Sequence, residues 1–314
     1  MTGRYEGVRF GAGGDPEELE RMGFDHIWGG GHFYFGSPMM DPLSGLAYMA
    51  GRTRRVTLGT TLVIPLLHPN LVAKWAADVD ILSGGRVILG VGVGGEFPAE
   101  FEAMGQDIHT RGARCDEQIE IIRRAFTGEK FGHSGRHYQF NEFQLRPPPI
   151  RPGGPPIWIT GRSEFAARRA GRLGDGYLPY MVSTSSLGER KRQMVEAAEK
   201  AGRDPGQIVL GHFVFCSVSE DGKGTQEAVV RQLGSMYSQD FGHVADRYCI
   251  AGTVSQCRER IEAFIDVGVR HFNLATVPPP GGDARDTLHL FARDVLGMRW
   301  EESGGGIAGA VEAR

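Results

Sequence analysis

Apolar positions recur along the chain in two alternating rhythms. Short β-branched runs predict strands at residues 7–11 (GVRFG), 24–29 (FDHIWG), 55–64 (RVTLGTTLVI) and 86–93 (RVILGVGV). Between them lie helical patterns. Asp15-Pro16 places an N-cap before a first-turn proline, and residues 42–52 form a second helical stretch. In 69–82, Val72, Trp75, Ala76, Val79 and Leu82 share one face. In 111–126, Ile119, Ile122 and Phe126 point inward. A hairpin is expected over 130–145, its turn near His133-Ser134-Gly135, followed by the extended connector RPPPIRPGGPP. The alternation then resumes. Strands at 157–160, 176–180, 208–218 and 270–275 alternate with helices at 164–173, 185–201, 254–267 and 283–296.

Eight such β-then-α units imply a parallel sheet, and eight in about 300 residues fit a closed (β/α)8 barrel, the TIM barrel of the α/β class, better than an open sheet. The expected organisation is a single barrel over 1–302, with insertions at about 130–156 and 222–250 and a loose tail at 303–314. Barrel chemistry sits at the carboxyl ends of the strands.

Composition narrows the function. Lys+Arg 35 against Asp+Glu 38 gives a net charge of −3 in 314 residues, without the basic surplus of a nucleic-acid binder. The four cysteines, Cys115, Cys216, Cys249 and Cys257, lack CxxC spacing and read as reduced thiols of a cytoplasmic protein. A signal peptide and a membrane-spanning run are not expected. The histidines show no metal-ligand spacing, so no metal site is expected. Neither G-x-S-x-G nor a P-loop is present. Lys74, Lys130, Lys191, Lys200 and Lys223 all lie outside the expected strands, which argues against a Schiff-base enzyme.

The strand ends carry the candidate chemistry. Strand two runs through three glycines into His32, an acid/base candidate or a loop histidine held by a carbonyl. Strand four ends in Gly90-Val91-Gly92-Val93-Gly94-Gly95, which matches the dinucleotide fingerprint G-x-G-x-x-G. The match is weak, because Glu96-Phe97-Pro98 follows where a helix should start and Asp116 falls inside a helix. These glycines make room for a flat ring rather than a pyrophosphate. Glu96 is a catalytic carboxylate or a solvated loop acid. Strand five ends in Thr160, Gly161, Arg162 and Ser163 before a helix, which suits a phosphate. Ordinary capping by Ser163 with Arg162 in solvent fits equally. Arg168, Arg169 and Arg172 read as a solvated face.

GFDHIWGGGHF (23–33) and the block from Leu58 to Gly105, with HPNLVAKWAADVDILSGGR within it, resemble the luciferase-like monooxygenase superfamily. RGARCDEQIEIIRRAF and PPIWITGRSEFAARRAGRLGDGYLP fit it too. The resemblance covers nearly the whole chain. It implies an eight-stranded barrel binding FMN or the deazaflavin F-420. The activity implied is hydride transfer with F-420, or monooxygenation with reduced FMN and oxygen. It maps the family histidine onto His32 and the strand-three bulge, often with a non-prolyl cis peptide behind the ring, onto Thr61 and Leu62. The ring-edge loop falls at Gly92, Gly94, Gly95 and Glu96, and the phosphate loop at Thr160, Gly161, Arg162 and Ser163. The family's frequent Asp or Glu before the histidine is Gly31 here, which weakens His32. Its frequent phosphate-binding Arg after strand four is Gly94 here, so either Arg162 replaces it or the cofactor is not FMN, which favours F-420 over FMN. The resemblance also implies a small-molecule substrate, a homodimer and, for the FMN branch, a separate reductase. A non-catalytic cofactor-binding protein is the alternative from another class.

Overall fold

The computed structural model describes residues 5–33, 39–237, 242 and 245–301. In chain order the barrel half opens with β1 (Arg9–Ala12), α1 (Pro16–Met22), β2 (His26–Gly31), α2 (Pro42–Arg52), β3 (Thr57–Val63) and α3 (Pro69–Ser83). Then come β4 (Val87–Gly92), a short α4 (Pro98–Ala103), α5 (Arg111–Phe126) and the antiparallel hairpin β5 (Phe131–Ser134) and β6 (Gln139–Phe143). The second half holds β7 (Ile157–Thr160), α6 (Glu164–Leu173), β8 (Gly176–Leu178), α7 (Thr184–Lys200) and β9 (Val209–Val218). The 222–250 insertion supplies α8 (Thr225–Tyr237) and α9 (Ala245–Tyr248), and β10 (Ile250–Gly252), α10 (Val254–Val267), β11 (His271–Thr276) and α11 (Ala284–Leu290) complete the chain. The expected tail at 303–314 lies outside the described residues.

Eight strands close the barrel in the order β1-β2-β3-β4-β7-β8-β9-β11, every pairing parallel. β10, which the sequence pattern missed, adds to β9 outside the ring, at Cys216–Val218. The expected inward faces of α3 and α5 are buried, apart from the half-buried Trp75 and one exposed position. Leu82 of α3 is 65% exposed, while Val72, Ala76 and Val79 pack against the barrel. Arg169 departs from the expected solvated face: it is buried and pairs with Asp116, with Arg172 on the same carboxylate at 2.7 Å.

The barrel's interior explains much of the glycine content. Trp28 and Trp158 lie inside, their rings 5.6 Å apart. A Cβ at Gly59 would lie 2.3 Å from the Trp28 ring, and one at Gly176 2.5 Å from Trp158. Gly11 faces the His26 ring in the same way. Large rings on some strands are accommodated by glycines on the neighbouring ones, so the lumen is packed and not a pore.

Candidate active site at the barrel mouth

The carboxyl end of β2 delivers His32 to the mouth. Directly before it, Gly31 pairs with Leu62 of β3. A Cβ at Gly31 would lie 2.0 Å from the Thr61 carbonyl oxygen, so no larger residue fits there without moving β3. The carboxylate absent at that position arrives from elsewhere. Pro98 occupies the first turn of α4, where its missing N–H costs nothing, and Glu100 follows in that turn. Its buried carboxylate accepts from His32 Nδ1 at 3.2 Å and from the Phe33 backbone N–H at 2.5 Å. The His32 ring, partly exposed, meets Phe97 edge-on at 5.8 Å. A carboxylate behind Nδ1 fixes the tautomer with the proton on Nδ1. A helix therefore does follow the glycine loop after β4, although too late to hold a pyrophosphate as a dinucleotide fingerprint would.

The strand-three feature differs from the expected bulge. β3 pairs with β4 at Leu58, Gly59, Leu62 and Val63 but not at Thr60 and Thr61, and the register is the same on both sides of the gap. The ladder is interrupted one residue earlier than expected, and no extra residue is inserted. Arg146-Pro147 is the only cis peptide among the described residues, so the bond between Thr61 and Leu62 is trans. The strands approach so closely here that a Cβ at Gly90 would lie 1.8 Å from the Thr60 carbonyl. Thr61 is half-buried on the lumen side of the strand, whereas the Leu62 side chain is buried in the layer between barrel and helices.

Beyond β4, Gly92 abuts Thr160, whose Oγ1 would be 2.6 Å from a Cβ. Gly94 has φ +64° and packs against Val63, with a Cβ-to-Cγ1 separation of only 2.5 Å. An arginine is therefore excluded at that position on two grounds. Gly95 lies against Arg111 of α5, whose Nε is buried without a hydrogen-bond partner and whose Nη1 donates to the Ile108 carbonyl. Glu96, exposed at the rim, accepts a hydrogen bond from the Tyr180 hydroxyl just beyond β8. Burial, reinforced by the Glu96 carboxylate, pushes that hydroxyl well above the usual tyrosine range. Tyr237 at the end of α8 is pushed up to about 12, mainly by burial. Arg162 lies over the Tyr180 ring at 5.9 Å. Ser163 accepts from the Ala166 N–H at 3.2 Å, capping α6.

The mouth thus gathers His32, Gly92, Glu96, Thr160 and Arg162 from the ends of β2, β4 and β7. Sequence reasoning missed Glu100, Arg111, Tyr180 and Tyr237. Only Glu100 had a readable signal, a proline two residues ahead of it able to start a helix. The opposite, amino-terminal end of the barrel holds a cavity of about 460 Å³ lined by Arg9, Asp25, His26, Arg55 and His271. Arg9 there is paired with Asp25 at 2.8 Å, and the Glu20 carboxylate is taken up by the backbone N–H groups of Arg54, Arg55 and Val56. Among the described residues no cluster of three or more ligating side chains could hold a metal. No helix among them is long and apolar enough to cross a membrane.

Known proteins share this architecture. The F-420-dependent glucose-6-phosphate dehydrogenase of Nocardia farcinica is 28% identical over 293 residues, covering 85% of this chain and 84% of its own. The crystal structure of monooxygenase RslO1 from Streptomyces bottropensis superposes with a TM-score of 0.75 at 27% identity, over 90% of this chain and 92% of that one. An F-420-dependent secondary alcohol dehydrogenase, in complex with an F-420–acetone adduct, matches in fold with a TM-score of 0.81 at 20% identity, over 93% and 99%. A sequence model for the luciferase-like monooxygenases matches residues 17–271, from the first helix to the start of the last barrel strand, and the chain belongs to that family.

Proposed function

We propose that this protein is an oxidoreductase using a flavin-type cofactor, with F-420 favoured, to move a hydride to or from a small organic substrate. The observation that carries the reading is the His32–Glu100 couple at the barrel mouth. It restores the oriented acid/base that Gly31 had put in doubt, and it removes the one feature that favoured a non-catalytic binding protein.

The residues at the mouth fit a flat ring with an anionic tail. Gly92 has no side chain to screen its backbone, and Thr61 and Thr160 offer hydroxyls at the lumen side. Gly161 has φ +127°, and Arg162 next to it has no carboxylate within ion-pair distance among the described residues. In this reading Thr61, Leu62 through its backbone, Gly92, Gly94 and Gly95 border the ring, and Thr160, Gly161, Arg162 and Ser163 seat the tail. The bound cofactor supplies the hydride chemistry. His32, held by Glu100, exchanges a proton with the substrate through Nε2. Glu96 is the second proton-handling candidate at the rim. The α8 insertion walls the substrate side. Residues 1–302 are read as one catalytic unit, working as a cytoplasmic homodimer.

Support for F-420 comes from the dehydrogenase relative and from Gly94, which cannot be replaced by a phosphate-binding arginine. One observation favours the second reading, a monooxygenase using reduced FMN, oxygen and a separate reductase. Arg111 stands behind Gly95 with an unsatisfied buried Nε, so a cation does flank that loop. Reconstitution separates the two readings. Tighter binding of F-420 than FMN, with reduction of F-420 by an alcohol or sugar phosphate, supports the first. Micromolar FMN binding without detectable F-420 binding overturns it.

A further inference from the structure

Tyr180 joins three loops of the mouth. Its hydroxyl donates to Glu96 of the loop after β4. Its ring lies under Arg162 of the loop after β7. Its own backbone bridges to Phe213 of β9. Met181, the next residue, has φ 49°, the only left-handed non-glycine residue among those described. Such conformations persist where the surroundings enforce them, and they concentrate at functional sites.

Glu96 and Arg162 carry opposite charges and meet the same side chain, the carboxylate at the Tyr180 hydroxyl and the guanidinium over the Tyr180 ring at 5.9 Å. Gly94 and Gly95, both at positive φ, join Glu96 to β4. The Arg162 backbone is fixed, because Arg190 Nε donates to its carbonyl at 3.0 Å. Yet the guanidinium makes no ion pair with Glu96. What holds the carboxylate is the tyrosine hydroxyl.

We propose that Tyr180 acts as a positioning residue that restrains Glu96, and so keeps the Arg162 guanidinium available for the phosphate of the cofactor tail. The inference rests on the reading of Thr160, Gly161, Arg162 and Ser163 as the anion seat. It adds that the affinity of this seat is set by a tyrosine on a different strand.

The test compares ligands that differ only in the phosphate-bearing tail. Binding of F-420 and of its deazaflavin chromophore without that tail is followed by fluorescence, and the same is done with FMN and riboflavin. Four proteins are titrated: wild type, Arg162→Ala, Tyr180→Phe and the double variant Tyr180→Phe/Glu96→Gln. Arg162→Ala and Tyr180→Phe should each weaken the phosphorylated ligand about tenfold, as expected for loss of one charge-assisted contact. The unphosphorylated ligand should stay unchanged, which also reports an intact fold. Glu96→Gln, by removing the competing charge, should restore phosphate-dependent affinity to the Tyr180→Phe protein. An unchanged Arg162→Ala overturns the anion seat and this inference together. A weakened Arg162→Ala with an unchanged Tyr180→Phe overturns the inference alone. So does a Tyr180→Phe loss that is equal for both ligands, or one that Glu96→Gln does not rescue. Failure to bind either phosphorylated ligand overturns the cofactor reading and the inference with it.

Discussion

Replacing Glu100 by Gln tests the central claim about His32 with little change in shape. The side chain is 1% exposed and accepts from His32 at 3.2 Å and from the Phe33 N–H at 2.5 Å. Glutamine keeps an oxygen for Phe33 but meets His32 with an amide or a neutral carbonyl. A hydrogen bond to a charged partner contributes about 1.5–3 kcal/mol. If that is lost only as His32 takes up a proton, turnover falls by roughly 10- to 150-fold. The fold should lose less, about 1 kcal/mol, or roughly 2 °C in melting temperature for a chain this long. Glu100→Ala is the contrasting case. It strands the Phe33 N–H and leaves a void, costing about 2–4 kcal/mol of stability. The assay measures kcat, cofactor Kd and melting temperature on each variant. Wild-type kcat in Glu100→Gln would refute the couple. A kcat loss matched by equal losses in cofactor affinity and melting temperature would make Glu100 a structural acid and nothing more.

Three further predictions follow from the same geometry. His32→Ala should slow the proton-coupled step by about 10²–10⁴ with cofactor affinity nearly kept, and wild-type rates would make His32 an ordinary loop histidine. Gly31→Ala should cost about 2 kcal/mol or more in chemical denaturation, because its Cβ would lie 2.0 Å from the Thr61 carbonyl; a neutral result would show that β3 can yield. Burial lowers His26 to about 3 and His212 and His271 to about 4. The unfolded chain, with histidines near 6.5, then binds more protons below that pH, so stability is full above about pH 7 and falls as pH drops toward 4. A melting temperature flat from pH 7.5 to 5 would contradict this.

The barrel was legible because its signals are local and repeated. β-Branched runs and amphipathic helices recur eight times, and each unit confirms the others. His32 was legible as a candidate because it follows a glycine run at a strand end, although those glycines make room for Leu46, Met39 and the Thr61 carbonyl. Glu100 was not, because its partner lies 68 positions earlier in the chain and only the closed barrel brings α4 over the end of β2. The pairing of Arg169 with Asp116, 53 positions apart, was hidden likewise. On a helix read alone, an arginine beside other arginines looks solvated. Tyr180 carried no signal at all. A tyrosine after a strand is common, and its meaning depends on a carboxylate two barrel strands away.

The glycines show most clearly why composition and site are different kinds of information. Forty-seven glycines in 314 residues, about twice the usual share, suggest by themselves close approach of backbone to a ligand, and at Gly92, Gly94 and Gly161 that reading stands as a proposal. At Gly11, Gly59 and Gly176 the close approach is to the protein's own rings, His26, Trp28 and Trp158. At Gly31 and Gly90 it is to the backbone of β3, where the ladder to β4 is interrupted. Glycines that serve packing and glycines that serve binding look alike in the sequence, because both answer the same steric demand. They separate only when the neighbour that would meet a Cβ is known. That neighbour also explains the departure that weakened His32 on paper. In this chain β3 lies too close to Gly31 for any side chain there, and the carboxylate at His32 comes from α4.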